Sequence, residues 1–492
     1  MLYSDGILDS NKVDREDETY IAWTTDEVIS LYEYLHYAIA SNWVDVSKLS
    51  IDNQYADSEE IYNQIINYIF NEIEIDSDFL VKLYKYMLSA DMITGTQVCN
   101  ILLEQEVVTL DDEELSLWNN AGETAYTFMI NRITNLDITP AQLALDPCTG
   151  SMVITDVNTG DVLALVSYPG YDNNKMANGV DATYYASLRN DNSNPLYNYA
   201  TQQRTAPGST FKMVSATAGL MEGVITTDST ISCLGLYDKI SPSARCWIYP
   251  SSHGALNVSG GIRNSCNYFF YEVGYRLGLV DDTYNSDVGL ATLKKYADLY
   301  GLTETSGIEI SESEPSVSAQ DAVRSAIGQG SNSYTTVGLA RYVTTVANSG
   351  TCYNLTLIDK TTDSNGNLLE EYSATVRNTI DMPSSYWNAI HTGMRQVVQD
   401  KSYYSDLSVA VAGKTGTAQE SSSRPNHALF VCYAPYESPE IAIATRVAYG
   451  YTSSYAAQIT KEAIEYYFGL SDEDEISDGE AQELQGGEVN AD

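Results

Sequence analysis

Apolar residues recur with helical spacing along most of the first 140 residues. Segments 24–40, 76–93 and 111–134 each carry apolar side chains three or four positions apart, which predicts amphipathic helices. Thr24 begins the first segment and Glu27 follows three residues later, the sequence pattern of a capping box. We therefore expect residues 1–145 to form a helical region distinct from the rest of the chain.

The pattern changes to strand-like alternation after Pro147. β-Branched and apolar residues alternate on both sides of Asn158-Thr159-Gly160, which predicts a β-hairpin over 151–170. Segments 407–419, 427–435 and 440–450 are three more strand-like runs, and a helical run over 455–469 follows them.

These runs predict an α+β fold. Strands at both ends of region 146–470, with helices between them, indicate a five-stranded antiparallel sheet flanked by helices. The last segment, 471–492, is acidic, contains glycine and has no basic residue, which is typical of a disordered tail.

Length, charge and hydropathy narrow the class of protein. A chain of 492 residues exceeds one ordinary core, so two or three domains are expected. The formal net charge of −41 repels polyanions, so we expect no nucleic-acid partner. No run is apolar and long enough to cross a bilayer, and the N-terminus lacks the basic and apolar regions of a signal peptide. On these features alone the chain is expected to be cytosolic.

A serine and a lysine three residues apart, Ser209 and Lys212, are the first candidates for chemistry. They lie in Pro-Gly-Ser-Thr-Phe-Lys at 207–212, before an Ala-rich apolar run that predicts a helix beginning near Ser209. Residues i and i+3 share a helix face, so the amine is expected beside the hydroxyl. A free lysine has a pKa of about 10.4, which only burial and nearby positive charge would lower enough to make a base. Taken alone, the pattern is better explained by a solvated lysine and a capping serine.

Two further motifs change this interpretation. Ser265-Cys266-Asn267 is an SxN sequence, and Lys414-Thr415-Gly416 is a KTG sequence within a predicted strand. Each is weak by itself. SxxK, SxN and KTG in this chain order are typical of penicillin-binding proteins and class A β-lactamases.

Each residue of the three motifs has a chemical role. Ser265 can relay a proton between Lys212 and a leaving group. Asn267 can hold Lys212 and a substrate amide. Lys414 adds positive potential, which favours a neutral Lys212 and attracts a carboxylate.

The residues after Lys414 complete the candidate site. Thr415 and Thr417 offer hydroxyl groups to a substrate carboxylate, and Gly416 lets the strand approach the substrate closely. The backbone N–H groups of Ser209 and Thr417 are candidates for an oxyanion hole.

The chain resembles a class B penicillin-binding protein, a peptidoglycan D,D-transpeptidase, of clostridial type. The resemblance extends beyond the motifs to four segments and covers roughly 146–468. These segments are the hairpin TDVNTGDVLALVSYPGYDNN (155–174), the approach NPLYNYATQQRTAPGSTFK (194–212), the stretch at 327–350, and NHALFVCYAP (426–435).

The resemblance implies a reaction, partners and a location. Ser209 would attack the D-Ala-D-Ala bond of a stem peptide, release D-alanine and pass the acyl group to an amine of a second strand. β-Lactams would trap the same serine, and no cofactor would be needed. The resemblance also implies an extracytoplasmic, membrane-associated protein within a cell-wall synthesis complex. Family members usually carry a membrane anchor and a longer non-catalytic domain, so 1–145 is expected to be part of a truncated one.

Two other acyl-enzyme functions remain open. Class D β-lactamases share the STFK pattern and a KTG, but they need a group that activates a deacylating water, and their middle motif usually ends in valine rather than Asn267. A β-lactam sensor domain would be acylated without turnover. His427 begins a predicted strand and is expected to pack rather than to catalyse.

A second cluster of candidate ligands precedes the SxN motif. Cys233, Asp238, Cys246 and His253 offer two thiols, a carboxylate and an imidazole, a plausible set for a structural zinc ion that would brace the loop before Ser265. A Cys233–Cys246 disulfide and unpaired buried thiols are the alternatives.

Overall fold

The computed structural model describes residues 1–49, 56–135, 137–138, 149–373, 375–420 and 424–471. The chain divides into two compact units, Met1–Ile130 and Asn131–Asp492. This division falls before the domain boundary expected at 145/146, which lies outside the described residues. The expected tail also lies outside them, apart from its first residue, Ser471.

The described part of residues 1–135 is mainly helical, as the apolar spacing predicts. Ile7, Tyr34, Leu35 and Ile65 are buried in a small core of this region. Its helices are α1 (Glu18–Thr24), α2 (Leu31–Ala40), α3 (Ser58–Ile75), α4 (Ser77–Ser89), α5 (Gly95–Glu104), α6 (Asp112–Asn119) and α7 (Ala125–Thr134).

Two details of the helical prediction are wrong. Thr24 ends α1 instead of beginning a helix, and Glu27 has a left-handed φ of 52°. The capping box lies six residues later, where Ser30 and Glu33 each accept from the other's backbone N–H. The expected helix over 111–134 is two helices, α6 and α7, because the chain turns at Ala121, whose φ is 55°.

The second unit contains the predicted strands and several short strand pairs. They are β1 (Gly150–Asp156), β2 (Val162–Tyr168), β3 (Ile231–Cys233), β4 (Leu236–Tyr237), β5 (Ala244–Arg245), β6 (Gly254–Leu256), β7 (Leu279–Val280), β8 (Thr283–Tyr284), β9 (Thr351–Tyr353), β10 (Lys360–Thr362), β11 (Leu368–Glu371), β12 (Val376–Thr379), β13 (Ala412–Ala418), β14 (His427–Ala434) and β15 (Ile441–Val447).

The five predicted strands form one antiparallel sheet, which confirms the expected α+β fold. The strand order is β13-β14-β15-β1-β2, so the first and last strands of the unit pair at the centre. β13, which carries the KTG motif, is an edge strand. Its register places Lys414 opposite Val431 and Thr417 opposite Ala428.

Helices cover both faces of this sheet. They are α8 (Ala182–Asn190), α9 (Lys212–Met221), α10 (Val258–Arg263), α11 (Asn267–Leu277), α12 (Ser286–Leu299), α13 (Ala322–Ser325), α14 (Thr336–Ala347), α15 (Ser384–Gln399) and α16 (Ser453–Tyr467).

The buried helix α14 shows how the inner face is built. All of its residues are buried, and its hydroxyl groups pair with the sheet: Thr344 Oγ1 lies 2.6 Å from Thr155 Oγ1, and Thr336 Oγ1 lies 2.7 Å from Ser151 Oγ. On the outer face Ile464 of α16 packs in one cluster with strand residues such as Ile443. These four hydroxyl groups between α14 and the sheet thus satisfy one another.

α9 is the central helix of the second unit. Every residue from Lys212 to Leu220 is buried. The helix is therefore surrounded by the core on every side, and it carries the amine of Lys212 into that core. None of the described helices has the length and apolar composition needed to cross a membrane.

The corrected capping box gives a testable expectation. Ser30→Ala removes one partner of the reciprocal hydrogen bonds, a loss of about 1 kcal/mol, so amide exchange within α2 should accelerate about fivefold. Thr24→Ala should leave that exchange unchanged, because Thr24 belongs to α1. Hydrogen exchange measured on peptides covering 31–40 distinguishes the two variants; acceleration by Thr24→Ala alone would contradict the assignment.

Candidate active site

A single tight turn brings Ser209 and Lys212 together. Gly208–Phe211 form a 3-10 turn that continues into α9 at Lys212. Ser209 Oγ lies 2.9 Å from Lys212 Nζ. The helix start expected near Ser209 is therefore confirmed, with a 3-10 turn as its first part.

Lys212 is held by the SxN segment. Its fully buried Nζ donates to the backbone oxygen of Ser265 at 2.8 Å and to Asn267 Oδ1 at 2.8 Å. Carbonyl and amide oxygens only accept hydrogen bonds, so these contacts take two N–H groups of the amine. The side of Nζ that these two acceptors leave open faces the hydroxyl groups of Ser209 and Ser265.

The Ser265 hydroxyl lies at the centre of the site. Its Oγ is 3.1 Å from Lys212 Nζ, 3.0 Å from Lys414 Nζ and 3.0 Å from Ser209 Oγ. Ser265 has a left-handed φ of 47°, a conformation whose strain is about 1–3 kcal/mol for a non-glycine residue. The chain adopts it between α10 and α11, where Cys266 Sγ accepts from the backbone N–H of Phe269 and caps α11.

Lys414 reaches the same hydroxyl from the edge strand β13. Its buried Nζ also donates to the backbone oxygen of Thr415 at 2.9 Å. Because Lys212 and Lys414 contact one oxygen, repulsion of about 3 kcal/mol, at an effective dielectric constant of about 20, opposes their being protonated together. The geometry therefore favours one charged and one neutral amine.

Glycines allow the turn that carries Ser209 to pack directly on β13. A Cβ at Gly208, whose φ is 52°, would lie 2.5 Å from the backbone oxygen of Thr417. A Cβ at Gly416 would lie 2.8 Å from the backbone oxygen of Pro207. Any side chain at either position would separate the two segments.

Ser209 opens into a cleft of about 450 Å³. The predicted residues Ser265, Asn267 and Thr417 also line it, whereas Lys212 and Lys414 are buried behind it. Thr415 is buried, and its hydroxyl lies 3.3 Å from Lys414 Nζ. The other lining residues, which the motifs do not indicate, are Trp247, Tyr271, Arg324, Ile327, Gln329, Gly330, Gln419 and Asn426.

The cysteine cluster has a different membership from the predicted one. Potential ligand atoms of Cys233, Cys246 and His253 all lie within 4.8 Å of one another, together with that of Cys266. Asp238, the fourth predicted ligand, is exposed at the turn between β4 and β5 and is not in this group. Cys266 was missed because it lies inside the SxN motif.

The path of the chain explains why Cys266, and not Asp238, is the fourth residue of the cluster. β3 pairs with β6 so that Cys233 lies opposite Gly254, next to His253. The backbone turn that places Ser265 in the active site directs Cys266 to the opposite side. Among the described residues Cys233 and Cys246 are free thiols, so the alternative Cys233–Cys246 disulfide is not formed.

The geometry of the four residues fits a tetrahedral metal site. Cys246 Sγ lies 4.0 Å from Cys266 Sγ and 3.7 Å from His253 Nδ1. Zinc–sulfur bonds of about 2.3 Å in a tetrahedron place neighbouring sulfurs about 3.8 Å apart. Hydrogen bonding between the two thiols lowers the pKa of Cys246 and raises the pKa of Cys266, so the pair favours one thiolate that can bind metal.

The cluster is physically joined to the active site. Cys266 is the middle residue of the SxN motif. Trp247, next to Cys246, packs edge-on against the His253 ring and donates from its indole N–H to the backbone oxygen of Asn264 at 3.1 Å. Cys266 on one side of Ser265 and the Trp247–Asn264 hydrogen bond on the other thus link the cluster to the active site.

Comparison with known proteins identifies the family. Residues 150–465 match the penicillin binding protein transpeptidase domain. The chain is 30% identical to the peptidoglycan D,D-transpeptidase MrdA of Haemophilus influenzae over 360 residues, 65% of this chain and 52% of that protein. It thus spans about half the length of this curated relative.

Solved structures give the same result. Pseudomonas aeruginosa PBP2 in complex with WCK 5153 has 28% identity and a TM-score of 0.55, covering 68% of this chain and 76% of that one. A peptidoglycan synthase complex that coordinates polymerization and crosslinking has 25% identity and a TM-score of 0.57, covering 66% and 56%. The described sheet, its helices and the three motifs therefore belong to one family: this chain is a member of the penicillin-binding protein transpeptidase family.

Proposed function

We propose that this chain is a serine-type D,D-transpeptidase that cross-links peptidoglycan stem peptides through an acyl-enzyme on Ser209. The observation that carries the proposal is that Ser209 Oγ, at the cleft, lies 2.9 Å from a buried amine and 3.0 Å from the Ser265 hydroxyl. A nucleophile within hydrogen-bonding distance of a base, with the base held by a third group, is the arrangement that covalent catalysis requires.

Acylation begins with transfer of the Ser209 proton to the neutral Lys212 amine. Ser209 Oγ attacks the carbonyl carbon of the penultimate D-alanine, and the C–N bond to the terminal D-alanine then breaks. Ser265 gives its proton to the leaving nitrogen and regains one from Lys212. Asn267 holds Lys212 in place throughout, because its amide oxygen accepts one N–H of the amine.

The oxyanion formed during attack needs two backbone donors. The N–H groups of Ser209 and Thr417 serve this role, as their segments pack together through Gly208 and Gly416. Lys414 and the hydroxyl of Thr417 attract the terminal carboxylate of the donor peptide. Thr415 helps to hold the Lys414 amine in place, because its hydroxyl group accepts a hydrogen bond from that amine.

The donor peptide binds as an added strand. β13 lies at the edge of the sheet, so its outer backbone groups can pair with an extended peptide. An amine of a second stem peptide then attacks the Ser209 ester, which forms the cross-link and releases the serine.

The lining of the cleft favours transfer over hydrolysis. Among the described residues that line it, none is a carboxylate or a histidine that could activate a deacylating water. We therefore expect the acyl-enzyme to persist until an amine arrives, whereas the class D-like β-lactamase alternative would hydrolyse it. A β-lactam sensor domain would share this stability but would not turn over a D-Ala-D-Ala substrate.

Partners and location follow from the same proposal. The substrates are peptidoglycan stem peptides, and β-lactams are inhibitors. The relatives act in cell-wall synthesis, and one similar solved structure is a peptidoglycan synthase complex, which supports an extracytoplasmic, membrane-associated role in such a complex. We assign catalysis to 146–470 and a separate role to the helical region 1–145.

No cofactor takes part in this chemistry, but a structural zinc ion is part of the proposal. Cys233, Cys246, His253 and Cys266 would hold it, replacing the predicted set that included Asp238. Three thiolates and an imidazole are a closed structural donor set. The ion would hold the loop around Ser265 and leave proton transfer to the lysines.

Ser209 is expected to carry a stable acyl group. Incubation with a fluorescent penicillin should label one site per chain for hours, and Ser209→Ala should abolish labelling because the nucleophile is lost. Loss of label within minutes would indicate a hydrolase, and labelling of Ser209→Ala would contradict the assignment. Release of D-alanine from a D-Ala-D-Ala substrate in the presence of an acceptor amine separates a transpeptidase from a sensor.

Purified protein is expected to contain about one zinc ion per chain. Cys233→Ser should lower the zinc content severalfold, because it removes a ligand. Asp238→Ala and Cys352→Ser should retain it, since neither residue is in the cluster. Elemental analysis measures this directly; zinc near zero in the wild type, with no change in reactive thiols on chelation, would refute the site.

A further inference from the structure

The cleft contains an arginine that belongs to none of the three motifs. Arg324 lies in the short helix α13 and lines the cleft together with Ile327 and Gln329. The backbone oxygen of Arg324 accepts from the backbone N–H groups of these two residues, at 3.3 Å and 3.2 Å. One hydrogen-bonded segment therefore supplies this part of the lining.

This segment packs on the turn that carries Ser209. The backbone N–H of Gly208 donates to the backbone oxygen of Gly328 at 3.2 Å, and a Cβ at Gly328 would overlap the backbone oxygen of Gly208. The Cβ position of Gly208 itself points at Thr417 on β13. The turn is therefore flanked by two different segments, one carrying Arg324 and the other Thr417.

Two contacts orient the guanidinium of Arg324. Its Nη1 pairs with Asp321 Oδ2, and its Nη2 donates to the backbone oxygen of Pro242 at 2.7 Å. The side chain is 32% exposed. A guanidinium has five N–H groups, so these contacts within the described part of the chain leave three for a ligand.

Asp321 holds the guanidinium but shares its own charge with other donors. Its Oδ1 accepts from the backbone N–H groups of Val323 and Arg324, at 3.1 Å each, and so caps α13. Asp321 has a left-handed φ of 50°, a strained conformation for a residue other than glycine. The chain thus adopts a strained cap whose carboxylate also fixes the direction of the Arg324 side chain.

The charge of the cleft favours an anionic ligand. Of the lining residues in the described ranges, Arg324 alone has a formal charge. The whole chain has 67 Asp and Glu residues against 26 Lys and Arg residues, so this lining locally reverses the overall charge. A cleft focuses the field of such a group, and a guanidinium matches a carboxylate with two parallel hydrogen bonds.

We propose that Arg324 is a specificity-determining residue that binds a carboxylate of the acyl donor upstream of its two D-alanines. The inference rests on the proposed function, in which Thr417 and Lys414 take the terminal carboxylate. A stem peptide offers two further carboxylates: one on the side chain of a diaminopimelate at the third position, and the α-carboxylate of a D-glutamate linked through its side chain. Either one would meet the guanidinium before Ser209 attacks.

Three synthetic donor peptides test this proposal. Each has the order L-Ala, D-Glu, meso-diaminopimelate, D-Ala, D-Ala. The first has both carboxylates free, the second has the diaminopimelate side-chain carboxylate as an amide, and the third has the D-glutamate α-carboxylate as an amide. Release of D-alanine, with a fixed concentration of an acceptor amine, gives kcat and KM for each donor.

The wild type should prefer the free donor about tenfold in kcat/KM over one of the two amides, a typical value for one charge-assisted pair. The difference should lie in KM, because the contact exists both before and during attack. The amide that reacts slowly identifies the carboxylate that Arg324 binds. Equal kcat/KM for all three donors would overturn the inference.

Substitutions separate carboxylate binding from a purely structural role in holding Pro242. Arg324→Gln should reduce the preference to less than about twofold, whereas Arg324→Lys should keep most of it, since an ammonium group still attracts a carboxylate. Arg189→Gln, which removes an exposed arginine of α8, should not change it. Each preference compares donors on one enzyme, so the folded fraction does not affect it. A wild-type preference in Arg324→Gln would contradict the proposal.

Binding provides a readout that does not depend on turnover. Titration calorimetry with Ser209→Ala should show the same preference for the free donor, and Arg324→Gln in that background should remove it. Equal binding of the three donors to Ser209→Ala would refute the role of Arg324. Absence of D-alanine release from every donor by the wild type would instead refute the proposed function.

Discussion

The active site depends on one hydroxyl group that three segments of the chain share. Ser265 Oγ contacts Lys212 of α9, Lys414 of β13 and the proposed nucleophile Ser209 within 3.1 Å. Two amines on one oxygen repel each other, and this repulsion opposes their being protonated together. In the proposed mechanism, this contact is what allows Lys212 to act as the base for Ser209.

Much of the second unit serves to hold that contact. The buried helix α9 fixes the position of the Lys212 amine. The edge strand β13 brings the Lys414 amine to the same hydroxyl group and leaves one row of its backbone groups for substrate. Glycines at 208 and 416 remove the side chains that would separate the two. Ser265 itself needs a left-handed backbone, so the loop that carries it requires support from both sides. The cysteine and histidine cluster provides that support through Cys266 and Trp247.

Sequence patterns predict well what depends on local order. Alternation in the first hairpin and strand-like runs near the end of the chain predict the five sheet strands, and the motifs identify residues that meet at Ser209. Local sequence patterns do not predict a helix start where two candidate capping boxes lie close together. The sequence has one such pattern at Thr24 and another at Ser30, and the structure forms only the second. Local patterns also do not predict the role of Cys266. Nothing in the sequence shows that this residue, between Ser265 and Asn267, lies in the cysteine and histidine cluster.

The central claim is that the buried amine of Lys212 activates Ser209. The most direct measurement is the second-order rate constant of penicillin acylation for Lys212→Ala, with Lys294→Ala, an exposed lysine of α12, as the matched control. The account predicts a loss of at least about 10³-fold, within the range for a missing member of a nucleophile–base pair, with the fold retained by circular dichroism. Acylation of Lys212→Ala at a rate near that of Lys294→Ala would contradict it.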